Sequence, residues 1–167
     1  MCFIFGATYV TISGMTNIHT ICDIKQRNGS LKVTVEGPVF IAEFTGACSV
    51  KIAEGFYQAV KDALAVLPAD GWCYLSSSKN YVAALPEVER IYTKTYSLCM
   101  QNGCMVEAYC MPSAVGLAQV DKSRKACGVD TPIKDLAFET LEDAKYFLLS
   151  TLEHIKTHRQ YRATLDN

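Results

Sequence analysis

The residues best equipped for chemistry fall in one polar run, Ser76-Ser77-Ser78-Lys79-Asn80-Tyr81. The run follows a short apolar stretch, Trp72-Cys73-Tyr74-Leu75. It therefore reads as a loop at the carboxyl end of a buried strand, where α/β sheets place their ligands. Ser49 and Ser113 extend the same edge. Each stands before a helical segment, and a helix N-terminus turns backbone N–H groups toward an anion. The expected ligand- or partner-binding set is Ser76, Ser77, Ser78, Lys79, Asn80, Tyr81, Ser49 and Ser113. The plainer alternative is that these Ser and Asn residues supply only turn geometry and helix caps.

Other reactive residue types lack a chemical pattern. His154 and His158 are four apart on one helix face, but the polar tail around them offers no third metal ligand. The eight cysteines contain no C-x-x-C pair. Cys104 and Cys110 fall on one strand face, which is core spacing, so no metal site is expected. Glu43 and Glu107 each interrupt an apolar strand. They are candidates for an acid pair, or else lie on the polar side of their strands or at an edge. Dinucleotide-binding, phosphate-loop, nucleophile-elbow and metalloprotease motifs are missing. The chain is read as non-enzymatic and without cofactor; an enzyme of unknown type is the weaker alternative, because catalytic groups need not be adjacent in sequence.

Composition narrows the partners. A chain of 167 residues with half its residues hydrophobic suits one packed domain. A net charge of −1 argues against nucleic acid, whose phosphates demand a surplus of Lys and Arg. The apolar start lacks the basic flank of a signal peptide and is too short to span a bilayer. Stable membrane insertion is not expected, and the chain is read as cytoplasmic with reduced thiols.

The elements that must position the run follow from periodicity. Residues 1–30 are read as an N-terminal extension, with an added strand, a partner-binding arm and a poorly ordered leader as the alternatives, and Phe3–Ile12 is a candidate contact for a homodimer. Order is expected from Leu31 through residue 158, with a polar tail over 159–167. Lys32–Glu36 alternates as a half-buried strand, Gly37-Pro38 turns, and Val39–Phe44 pairs back. A loop at Thr45–Cys48 leads to a helix with Ile52, Phe56, Val60, Ala63 and Leu67 on one stripe. Strand Trp72–Leu75 follows, then a helix from Pro86. Cys104–Met111 is a strand, and Pro112 opens a helix that carries Val115, Ala118 and Val120. Leu136–Phe138 is a short strand. Thr140–Asp143 caps the last helix, whose core face is Ala144, Phe147, Leu148, Leu152 and Ile155. This order predicts an α/β fold: a mixed sheet of about five strands, an opening antiparallel hairpin then parallel strands, with about four helices.

Three segments carry a family resemblance: Gly37–Gly46, the single Trp72 opening a strand, and Phe138–Leu148 with its Phe, polar, Thr, acidic, Ala, aromatic-Leu pattern. From about Leu31 to Leu152 the chain resembles the SpoIIAA-like proteins, a branch of the STAS fold with structural likeness to CRAL-TRIO lipid-binding domains. The resemblance implies a regulatory or protein-interaction module. Classical anti-sigma antagonists carry a phosphorylated Ser in an Asp-Ser-Ser-Gly-like loop. The matching stretch here lacks the Asp and the Gly, which leaves Ser76 and Ser77 as candidates for phosphorylation. The CRAL-TRIO likeness, with Phe56, Trp72, Tyr81, Tyr92, Tyr96 and Phe147, implies the alternative of a carrier for a small apolar, lipid-like ligand.

Overall fold

The computed structural model describes residues 17–165, with side chains to Tyr161. Five strands lie in chain order across one sheet: β1 (Ile18–Gln26), β2 (Gly29–Glu36), β3 (Val39–Ala47), β4 (Trp72–Val82) and β5 (Cys104–Cys110). The first two pairings are antiparallel and joined by two-residue turns at Arg27-Asn28 and Gly37-Pro38. The β3–β4 and β4–β5 pairings are parallel. The helices are α1 (Val50–Ala63), α2 (Pro86–Gln101), α3 (Ala114–Ala126) and α4 (Leu141–Leu165). The architecture is thus the expected mixed α/β sheet with four helices, although its five strands are not the five read from the sequence.

Two differences account for that. Ile18–Gln26, part of the extension for which an added strand is one reading, is a sheet strand registered to β2, with a register shift between Thr20 and Cys22. Its Ile24 lies against Gly55 of α1, where any Cβ would collide with the Ile24 side chain. Leu136–Phe138, expected as a strand, is the end of a 3-10 turn over Ile133–Leu136 followed by one bridge between Ala137 and Tyr109. Too few residues are extended there to build a ladder. The Phe3–Ile12 arm lies outside the described residues. The polar residues after 158 continue α4 as far as Leu165.

Alternation along the strands gives the sheet two unlike faces. Leu31, Val33, Phe40, Phe44, Trp72 and Tyr74 face α1 and α2. Val39, Ile41, Cys73, Leu75, Val106 and Ala108 face α4 and meet Ala144, Leu148 and Leu152. Thr140 caps α4 by accepting from the Asp143 N–H at 3.1 Å, as its capping-box spacing predicts.

Candidate functional site

The serine run is strand, not loop. Ser76, Ser77 and Ser78 lie inside β4, flanked by Ala42, Glu43 and Phe44 of β3, and they are 3%, 6% and 2% exposed. Polarity misleads here because small hydroxyl side chains fit a crowded central strand as well as a turn. Ser76 and Ser78 point to the face covered by α1 and α2 and line a cavity of about 60 Å3 with Tyr74, Tyr92, Thr95 and Tyr96. Hydroxyls so enclosed are closed to a kinase in this conformation, which removes the geometric basis for phosphorylation at Ser76 or Ser77. Lys79 and Asn80 are exposed, and Asn80 has φ 52°, a left-handed conformation that Asn tolerates better than most residues. The Thr45–Cys48 segment is likewise mostly strand, as β3 runs to Ala47.

Ser49 and Ser113 cap their helices. Ser49 accepts from the Ile52 N–H at 3.2 Å and donates to Gln26, tying α1 to β1. Ser113 accepts from the Gly116 N–H at 3.1 Å. Their acceptors are thus committed to their own first turns.

Tyr81 is gathered into a latch that sequence reasoning missed. Its Oη donates to Gln119 Oε1 at 2.6 Å. The same Oε1 accepts from the Ala84 N–H at 2.9 Å, while Gln119 Nε2 donates to the Ala84 carbonyl at 2.9 Å and to Glu89 Oε1 at 2.7 Å. Lys122 closes the chain on Glu89 Oε2 at 2.7 Å. Bonds from Lys122 and then Gln119 hold the Glu89 carboxyl below its ordinary value of 4.5. Gly116 makes the latch possible, since a Cβ there would press on Met111 and on the Tyr81 ring. Around the latch, Val82, Leu85 and Val115 are 54%, 70% and 57% exposed. Val115 lies one helical turn before Gln119, and Gln119 is bonded to Ala84 between the other two.

The helix α3 packs Val120 and Leu117 against the core as its apolar pattern suggests, but only part of the expected stripe turns inward. Val115 and Ala118 are exposed, whereas Ser123 and Arg124 are buried. Arg124 is fully enclosed because Glu107 waits for it on β5. Its Nε donates to Glu107 Oε1 at 2.7 Å, and its Nη1 to Asp121 Oδ1 at 3.1 Å and the Thr131 carbonyl at 2.7 Å. Tyr96 and Tyr109 donate to the two Glu107 oxygens at 3.0 and 2.6 Å. Burial, and then the Glu107 charge, pushes both phenols well above their ordinary range, so they serve as neutral donors. Glu107 thus belongs neither to an acid pair nor to a solvent face. Glu43 lies on β3 beside Ser77 and is half-buried. The one sequence signal for the network is a carboxylate interrupting the apolar strand Cys104–Met111.

The remaining candidates are placed plainly. His154 and His158 stack edge-on at 4.7 Å on exposed turns of α4. Among the described residues no group of three His, Cys, Asp or Glu side chains is arranged to hold a metal ion. Burial raises the Cys48 thiol to about 11 and the Cys73 and Cys99 thiols to about 12, which keeps them protonated and poorly nucleophilic at neutral pH. No described helix is long and apolar enough to cross a membrane.

Comparison with known proteins places this architecture. The structure of SLC26A9, a protein with a STAS domain, matches with a TM-score of 0.52 at 13% identity. The match covers 80% of this chain and 26% of that one, so this chain spans about a quarter of SLC26A9. At that identity the likeness shows the fold, and the fold is STAS-like. The crystal structure of an anti-sigma factor antagonist from Mycobacterium paratuberculosis matches with a TM-score of 0.44 at 14% identity, covering 82% of this chain and 98% of that one. No family model and no curated protein matches the chain.

Proposed function

We propose that this chain is a non-enzymatic regulatory module that docks a protein partner on the rim formed by the β4–α2 connection and the start of α3. The carrying observation is the gathering of Val82, Leu85 and Val115, each more than half exposed, around a hydrogen-bonded latch. Exposed apolar side chains held on a rigid scaffold and bordered by polar residues are the anatomy of an interaction surface. Lys79, Asn80 and Glu87 supply the polar border. The partner this rim suits is a protein that buries apolar side chains of its own against it. Firmly protonated thiols and phenols support a binding role over a nucleophilic one.

The carrier reading is weaker. The aromatic cavity over Ser76 and Ser78 has about 60 Å3, room for about four to six waters by the usual 10–15 Å3 each. An acyl or prenyl chain needs a pocket of roughly 300 Å3 or more.

The test is quantitative affinity capture with three baits: wild type, a Leu85→Asp/Val115→Asp double variant, and Tyr146→Asp on the far face. The expected result is a protein retained by wild type and by Tyr146→Asp but lost by the double variant, with melting temperatures little changed. Identical recoveries from all three baits would overturn the assignment of the rim.

A further inference from the structure

The aromatic cavity over β4 holds more hydrogen-bonding capacity than the chain uses. Some of its hydroxyls are spent: Thr95 Oγ1 donates to the Ile91 carbonyl at 2.8 Å, and Tyr96 and Tyr109 donate to Glu107. Ser78, only 2% exposed, makes no hydrogen bond, yet its oxygen is not sealed in as Arg124 Nη2 is. Its accessible surface faces the cavity, because Ser78 follows Tyr74 and Ser76 on the inward side of a strand flanked by β3 and β5. Ser76, 3% exposed, has the Tyr74 phenol beside it, and burial keeps that phenol protonated. Two hydroxyls that bond to one another leave one proton over. At least two donors, each with acceptor lone pairs, therefore remain for an occupant, and buried hydroxyls ordinarily have a partner.

Size and charge define that occupant. About 60 Å3, at roughly 10–15 Å3 per water, admits a molecule of about four to six non-hydrogen atoms. Phe44, Phe56, Tyr92 and Met111 wall the cavity, which rewards a short hydrocarbon chain. None of the described residues lining it carries a charge, and Glu107, behind Tyr96 and Tyr109, is already matched by Arg124. An ion would be desolvated there without a counter-charge. A hydroxyl group both donates and accepts, and so meets serine hydroxyls of the same capacity.

We propose that the β4 cavity is a binding site for a short neutral alcohol, its hydroxyl held by Ser76 and Ser78 and its carbon chain by the aromatic walls. The site stands on the cavity alone and does not depend on the docking rim. Tyr81 and Gln119 line it and also hold the latch, so the latch reports occupancy.

The test is an NMR titration of the full chain with propan-1-ol, 1-chloropropane, propylammonium and propionate, which share a three-carbon skeleton and differ in the head group. Propan-1-ol is expected to bind with millimolar affinity, to shift the Ser76, Ser78, Tyr81 and Gln119 amides, and to bind at least several-fold more tightly than the other three. Ser78→Ala, which removes no hydrogen bond within the chain, is expected to leave the fold intact and to erase the preference for the alcohol over the chloride. Val120→Ile, which takes up part of the cavity, is expected to weaken propan-1-ol about fivefold or more. Absence of saturable shifts with propan-1-ol overturns the site. Equal binding of 1-chloropropane, or a preference that survives in Ser78→Ala, overturns the role of the serine hydroxyls. Tighter binding of either ion overturns the neutral class, and an unchanged affinity in Val120→Ile overturns the location.

Discussion

The two faces of the sheet solve the same burial problem with different materials. Under α4 the contact is aliphatic and small: Val39, Ile41, Leu75, Val106 and Ala108 meet Ala144, Leu148 and Leu152. Under α1, α2 and α3 it is aromatic, with Phe40, Phe44, Phe56, Tyr74 and Tyr92 at centroid separations from 5.2 to 6.3 Å. Large rings tile less completely than branched aliphatics, and hydroxyls line the gap they leave over β4. The comparison teaches that the centre of the α4 face, away from the β5 edge, is built for closure and the other face for polar connection.

The largest expected effect sharpens the second half of that statement. Arg124→Ala strands Glu107 without its cation and should destabilise the fold by about 3–5 kcal/mol, read by denaturant unfolding. Arg124→Met, which keeps the length of the chain but not the charge, should lose nearly as much, because Glu107 is the group left uncompensated. Next, Ala144→Leu forces extra carbons into the filled α4 face and should cost about 1–3 kcal/mol. Val120→Ile, beside the aromatic cavity, should do the opposite and stabilise by up to about 0.8 kcal/mol, as one more methylene finds room. Equal costs for these two additions would break the comparison.

The smallest effect concerns acid. The Glu89 carboxyl is held low by Lys122 and Gln119, so its folded value lies below its unfolded one. Its contribution is therefore complete above the ordinary value of 4.5 and is lost as pH falls through the depressed folded value. The stability advantage of wild type over Glu89→Gln, read by denaturant unfolding, should be present at neutral pH and vanish on the acid side. It should amount to under about 1 kcal/mol, since the Lys122 partner is largely exposed.

Much of this fold was legible in local pattern. The caps at Ser49 and Thr140, the α1 stripe and the α4 face are short-range features of sequence, and they stand where spacing puts them, whereas α3 starts after a Ser113 cap and not at Pro112. The serine run was not legible as strand, because a polar tripeptide in the middle of a sheet is stabilised by neighbours far away in sequence, Ala42 to Phe44 on one side and Tyr109 and Cys110 on the other. Nor was all of the inward face of α3 legible. Its orientation is set by a pairing of Arg124 with Glu107 across two elements, and periodicity weighs only apolar residues within one. The latch was hidden for the same reason: Gln119 acts through backbone atoms of Ala84, which no side-chain pattern records.

The strict order of the sheet, β1 to β5 without a crossing, bears on how the chain assembles. Each strand pairs with its immediate predecessor, so the sheet can zip up in the direction of synthesis, with only short loops to close at the first two steps. Among the described residues α4 is the last element in chain order, and until it docks, Ile41, Leu75, Val106 and Ala108 are exposed to water as one apolar patch. The interval between completion of β5 and arrival of α4 is therefore when a nascent chain is most in need of a chaperone.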